Sequence, residues 1–436
     1  MVQLSRRELL LVTAGAPAAT AMASAVKAAV PAQAMVTDMA NEGYWASVAQ
    51  GYDMTEAITN AENGNWGVMA RSVLEAYIDH THRVNRENSF FSRRVYGPLF
   101  RDIVADVAGR LGAQVGEVAF TRGATEALQN IIGGFNMLGP DDAVMYADLD
   151  YGSVQAAMAF QARRCGAAVV QLNVPEPVSH GELVDFYRDA MSQNPNVKLL
   201  LLTHISHRTG LMMPVRAIVQ EARARGIRVV VDAAHSWGQV DFKVDDLGAD
   251  YIGFNLHKWI GAPIGVGAMY IRADRLADID TNISAEPAQA DSIWGRVHTG
   301  TSNFAAYLTV PDAFAFHDRI GGGAKERRLR HLRQTWVGAV QASDVSDHVD
   351  ILTPEDKRLH GGITSFRIKG VTGADDNKAI VEDMLTQHGI FTVHRTGVAK
   401  GGCVRITPAL YNSQRDMQDV AAAVIAAARK AVTPQS

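Results

Sequence analysis

The chain has 436 residues, 47% hydrophobic and 20% charged, with 38 Gly and 14 Pro, a globular composition that excludes disorder and collagen-like repeats. Its net charge of −4 lacks the basic surface of a nucleic-acid binder. Two cysteines, Cys165 and Cys403, give neither a disulfide scaffold nor a Cys-rich zinc pattern.

Residues 1–34 have their own texture. Ser5-Arg6-Arg7-Glu8-Leu9-Leu10-Leu11 opens an Ala-rich stretch that ends in Pro31-Ala32-Gln33-Ala34. Adjacent arginines ahead of an apolar segment and a small-x-small site predict a twin-arginine export signal; an N-terminal amphipathic helix is the alternative. Its removal takes three basic residues and one acidic residue, so the mature chain carries −6. No other apolar run approaches the ~18 residues of a membrane span. The mature protein is therefore expected to be soluble and periplasmic.

From Leu99 to about residue 112 the apolar residues keep helical spacing, and Val118-Ala119-Phe120 is a strand candidate. A helix face follows in Ala124, Leu128, Ile131, Ile132 and Phe135. Further strand candidates are Ala143–Ala147, Ala168–Leu172, Leu199–Thr203, Val229–Val231 and Tyr251–Phe254. Short apolar strands alternating with helices predict an α/β fold whose mostly parallel sheet is covered on both faces. Beyond residue 312 the texture changes to a smaller α+β domain. There Lys325-Glu326-Arg327-Arg328-Leu329-Arg330 reads as a solvated helix face, Thr364–Ile368, Phe391–Val393 and Val404–Ile406 as strands, and Met417–Val432 as the last helix. The expected organisation is a leader over 1–34, an N-terminal segment over 35–90 packed on the small domain, a large domain over 91–311 and a small domain over 312–436.

Ligands of parallel sheets bind beyond the carboxyl ends of the strands, and the chemistry-bearing residues follow strand candidates. Thr121-Arg122-Gly123-Ala124-Thr125-Glu126 joins a strand to a helix. Such a turn is either a phosphate site made of backbone N–H groups or a plain helix cap. Val229-Val230-Val231 runs into Asp232-Ala233-Ala234-His235, and a carboxylate at the end of a buried strand needs a partner. Tyr251–Phe254 runs into Asn255-Leu256-His257-Lys258 and a Gly-rich stretch. A lysine there is a surface charge or, if buried, an amine with a pKa below its usual ~10.4, able to form a Schiff base with an aldehyde cofactor.

These motifs, in this order over residues 85–430, resemble the class V aminotransferases, fold type I pyridoxal-phosphate (PLP) enzymes that include cysteine desulfurases and isopenicillin N epimerase-like proteins. The resemblance implies a large domain with a mostly parallel, seven-stranded-type sheet, a small α+β domain, and PLP as cofactor. It makes Lys258 the Schiff-base lysine and carrier of the substrate α-proton, Asp232 the partner of the pyridine nitrogen, and His235 the neighbour of the ring hydroxyl. Gly123, Ala124 and Thr125 become the phosphate anchor, with Asn255 and His257 closing its other side, and Tyr151 the ring stacked on the cofactor. Gly300-Thr301 resembles the segment that reaches the partner subunit's phosphate, which implies a homodimer, and Arg405 matches the arginine that holds a substrate α-carboxylate.

Two departures narrow the expectation. The desulfurases carry a nucleophilic cysteine ahead of that arginine, whereas Arg395-Thr396-Gly397-Val398-Ala399-Lys400-Gly401-Gly402 has none and Cys403 lies next to a strand. His207, in Ser206-His207-Arg208-Thr209-Gly210, stands where many relatives have Asn, and it is expected at the cofactor in altered form. His204 and His207 lack a third ligand, so no metal site is expected. Three functions remain open: amino-group transfer between an amino acid and a keto acid, epimerisation or carbon–sulfur lysis, and a non-catalytic exported binding protein. Epimerisation needs a second acid/base, for which Tyr151 and His207 are the candidates.

Overall fold

The structure is a computed structural model and describes residues 39–432. The expected export signal lies outside the described residues. In chain order the strands are β1 (Thr59–Asn60), β2 (Val118–Thr121), β3 (Ala143–Ala147), β4 (Ala168–Leu172), β5 (Val197–Thr203), β6 (Arg228–Asp232), β7 (Tyr251–Asn255) and β8 (Gly267–Ile271). They are followed by β9 (Val349–Ile351), β10 (Thr364–Ile368), β11 (Ile390–Phe391), β12 (Val393–Arg395) and β13 (Cys403–Ile406).

Seven strands form one sheet in the order β2-β8-β7-β6-β5-β3-β4. Strands β3 to β7 are mutually parallel, and β8 is antiparallel to both β7 and β2. It follows that β2 runs the same way as the parallel five, and six carboxyl ends share one edge. The apolar runs of β3, β5 and β6 are buried because helices cover both faces of the sheet. On one face Leu128, Ile131 and Ile132 of helix Ala124–Gly134 pack with Val144, Leu199, Leu201 and Val230. The α/β expectation holds, and its exception is β4, an edge strand with exposed residues.

Four further strands form an antiparallel sheet, β12-β13-β10-β9. Its core joins Phe366, Val404 and Ile406 to Trp336 and Val340 of helix Gly322–Gln341 and to Val420 and Val424 of helix Gln414–Val432. The single strand expected at Phe391–Val393 is two. Phe391 ends β11, which pairs with β1, while Val393 begins β12, which pairs with β13. Between them Thr392 is buried and its hydroxyl donates to the Arg405 carbonyl, which passes the chain from one ladder to the other. Among the described residues no helix is long and apolar enough to cross a membrane.

The charged run at 325–330 corrects the expected solvated face. In helix Gly322–Gln341 only Arg327 of that run is exposed, while Lys325, Arg328 and Leu329 are buried. Arg328 donates to the Met39 and Asn412 carbonyls at 2.8 and 3.2 Å, pairs with Glu42, and lies 5.1 Å from the Trp45 ring centroid. Lys325 Nζ donates to the Trp259 carbonyl at 2.7 Å. Charge density cannot distinguish solvated from paired residues, because buried cations are tolerated where carbonyls and carboxylates satisfy them. Arg328→Ala is expected to lower unfolding stability by about 2–4 kcal/mol, since it strands buried acceptors. Arg327→Ala should cost less than about 0.5 kcal/mol, with both read as shifts of the urea midpoint.

Candidate active site

The turns after β2, β3, β5, β6 and β7 open on one cavity of about 500 Å³ at the carboxyl edge of the large sheet. Its lining includes Gly123, Ala124, Thr125, Tyr151, His207, Asp232, His235, Asn255, His257, Lys258 and Arg405. Parallel strands bring together residues that are far apart in sequence because their carboxyl ends share an edge. Thr301, expected at the partner subunit's phosphate, is exposed and lies outside this chain's own cavity.

At one end of the cavity helix Ala124–Gly134 begins directly after Gly123. Its first N–H groups and its dipole form an anion site. Gly123 is required by close approach: an added Cβ would lie 3.0 Å from Asn255 Oδ1 and 3.3 Å from His257 Cε1. Asn255 Oδ1 accepts from the Ala124 N–H at 2.8 Å. His257 Nδ1 donates to the Val266 carbonyl at 2.9 Å, and burial holds the imidazole's pKa near 4.

The middle of the cavity holds the groups that carry chemistry. Lys258, just beyond β7, has its Nζ 3.0 Å from His235 Nε2. Burial, and next the Arg405 guanidinium, push its pKa down to about 7, against the opposing pull of Asp232. Burial likewise holds His235 well below the usual imidazole range, with Lys258 adding to it. Asp232 ends β6, and its Oδ1 accepts from the Ala234 N–H at 2.9 Å. Burial raises its pKa, while that N–H and Lys258 lower it. Burial thus disfavours the charged forms of both His235 and Lys258, and the two share the cavity with Asp232.

Around these lie Tyr151 and His207, whose rings meet edge to face at 5.1 Å. Tyr151 is 41% exposed, which leaves its ring open to the cavity. His207 has a buried Nδ1 with no partner, and burial holds its pKa well below normal. Arg405, on β13, reaches the cavity from the antiparallel sheet; its Nη1 donates to the His207 carbonyl at 2.6 Å and its Nη2 to Glu62.

Sequence reasoning did not single out Glu62, Asp150 or Arg395. Asp150 is buried, accepts from the Thr203 hydroxyl at 2.7 Å, and has a pKa pushed up to about 7 by burial, with the Asp232 charge adding to it. Its signal was its place after β3. Arg395 lines the cavity beside Arg405, and its signal was an arginine directly ahead of the glycine-rich loop at 397–402.

Several features fit PLP. The helix N-terminus suits the phosphate, Asp232 suits a pyridine N–H, and Tyr151 gives an aromatic wall. Lys258 stands in the same cavity, and the unpartnered buried Nδ1 atoms of His207 and His235 leave polar capacity for a ligand.

Comparison with known proteins gives a match between residues 68–420 and the family described as aminotransferase class-V. The isopenicillin N epimerase of Amycolatopsis lactamdurans is 25% identical over 410 residues, covering 87% of this chain and 98% of that one. A putative L-cysteine desulfhydrase 1 from Oryza sativa subsp. japonica is 28% identical, covering 84% of this chain and 82% of its own length. Among solved structures, apo cysteine desulfurase from Thermococcus onnurineus NA1 superposes with a TM-score of 0.73 at 19% identity, covering 88% of this chain and 98% of that chain.

Proposed function

Because the chain belongs to the class-V aminotransferase family of PLP enzymes, we propose that it moves a proton at the α-carbon of an amino acid or an amino-acid-derived substrate, with Lys258 as the base. The observation that carries this reading is a buried lysine of lowered pKa in one cavity with Asp232 and a helix N-terminus.

When bound, PLP supplies an aldehyde that captures amines and a cationic ring that draws electrons from the α-carbon. Lys258 supplies the amine and, once released to its free form, takes and returns the proton. His235, neutral and 3.0 Å from Lys258 Nζ, can share a proton with it. Asp232 offers a fixed negative charge to the ring N–H. Helix Ala124–Gly134 and Gly123 hold the phosphate, and Arg405 orients a carboxylate through its planar fork.

Similarity to an isopenicillin N epimerase and a putative L-cysteine desulfhydrase favours epimerisation and carbon–sulfur lysis beside amino-group transfer. Tyr151 and His207 are the candidates for a second acid/base in the first of these. Persulfide chemistry at Cys403 is disfavoured: the thiol is buried, its pKa is pushed up to about 11, and its Sγ lies 3.7 Å from the Arg208 carbonyl.

Incubating the holoenzyme with L-amino acids in deuterated water tests the proposal. Deuterium at the α-carbon of a recovered D-isomer marks epimerisation, sulfide from cysteine marks lysis, and keto acid marks amino-group transfer. No α-hydrogen exchange with any amino acid would contradict the proposal. We further propose a homodimer in which Thr301 serves the partner's phosphate site, and export of the folded subunit by the twin-arginine route. Recovery of the mature chain only from the cytoplasmic fraction would contradict the export.

A further inference from the structure

Arg405 is 1% exposed, and its donors are largely committed. Nη1 donates to the His207 carbonyl at 2.6 Å, and Nη2 donates to both carboxylate oxygens of Glu62, at 2.7 Å for Oε2. Nε is buried with no partner. A guanidinium grips a carboxylate with two prongs along either its Nη1–Nη2 edge or its Nε–Nη2 edge. Nη2 belongs to both edges. While Glu62 sits on Nη2, no two-pronged position is left for a second carboxylate.

The surroundings supply a place for Glu62 to go. Arg395 Nη2 lies 3.7 Å from Glu62 Oε1, beyond hydrogen-bond reach, and Arg395 Nε is also buried without a partner. Two guanidiniums thus share one buried carboxylate, and a second carboxylate balances them. The backbone around Glu62 is pinned: the Ala61 N–H donates to the Phe391 carbonyl at 2.9 Å, and the Asn63 N–H to the Thr407 carbonyl at 3.1 Å. Gly64 packs so closely that an added Cβ would lie 2.3 Å from Arg405 Nη2. Any exchange is therefore a rotation of the Glu62 side chain rather than a movement of its segment.

We propose that Glu62 is an internal occupant of the substrate-carboxylate subsite, displaced from Arg405 to Arg395 by the α-carboxylate of an incoming amino acid. The proposal rests on the α-carbon reading above and adds a specificity device to it. An amine without a carboxylate leaves Glu62 on Arg405, and the exchange selects ligands that bring their own anion.

The test titrates holoenzyme with propionate and with neutral propionamide, with binding read by calorimetry and by the cofactor's absorption band. Glu62→Gln keeps the side-chain shape and weakens the competitor, so propionate should bind about ten-fold more tightly than to wild type, with propionamide unchanged. Arg395→Gln should weaken propionate binding in the wild-type background and leave it unchanged beside Glu62→Gln, a split that a merely structural role would not produce. Equal or weaker propionate binding by Glu62→Gln overturns the proposal, as does an Arg395→Gln effect of the same size in both backgrounds. Should Glu62→Gln fail to fold, Arg395→Gln alone decides: undiminished propionate affinity overturns the exchange. A wild-type protein without any cofactor band would overturn the α-carbon reading instead, and so is distinguishable.

Discussion

Replacing Lys258 with Ala is expected to lower turnover by about 10³-fold or more, because in its proposed role one side chain supplies both the amine that captures the cofactor and the base that moves the proton. Burial carries the effect: desolvation disfavours the ammonium, so the pKa falls to about 7. The neutral, nucleophilic form gains as pH rises through that value. Cofactor capture by the apo-protein should therefore rise between about pH 6 and 8 and then level off, whereas an ordinary lysine would keep gaining toward ~10.4. A lowered pKa alone does not mark the residue, since Lys325 is also pushed down to about 7 by burial. Lys325 is satisfied by the Trp259 carbonyl and by His317 Nδ1, 2.9 Å away. Lys258 differs in sharing its cavity with Asp232 and a helix N-terminus.

Asp232→Asn is the second large effect, with an expected loss of about 10²-fold or more in turnover, as found when a fixed charge aimed at a reacting centre is removed. The substitution is close to isosteric at a buried strand end where the Asp232 carbonyl still accepts from the His204 N–H at 2.9 Å, so folding should survive. Its second signature lies in the lysine. Among the anions, Asp232 does most to hold the Lys258 pKa up, and losing it should move the midpoint of cofactor capture to lower pH. Turnover within about two-fold of wild type, or a midpoint displaced upward, would remove Asp232 from its assigned place.

The parts of the fold with strong periodicity were readable from sequence, and those set by distant partners were not. The runs at Ala143–Ala147 and Val229–Val231 announce buried strands because both faces of a parallel sheet are covered. Strand β8 begins in a glycine-rich stretch, and Gly267 serves close approach: an added Cβ would meet Gly123 Cα at 2.4 Å. Strands β1 and β11 are two residues each, too short for any period to register. The site followed the same division. Asp232 ends β6 and Lys258 lies just beyond β7, so both could be picked by position. Glu62 meets Arg405 across 343 positions, and no local pattern marks such a pairing. The run at 325–330 misled for a related reason, since its burial depends on Glu42, Met39 and Asn412.

Lys258 is proposed to bind the cofactor covalently. The most direct measurement is borohydride reduction of the purified holoenzyme, followed by peptide mapping. The protein is expected to be yellow and to lose its colour on reduction, with the reduced cofactor found on the peptide containing Lys258. A protein that stays colourless after incubation with PLP, or a label on any other lysine, would contradict it.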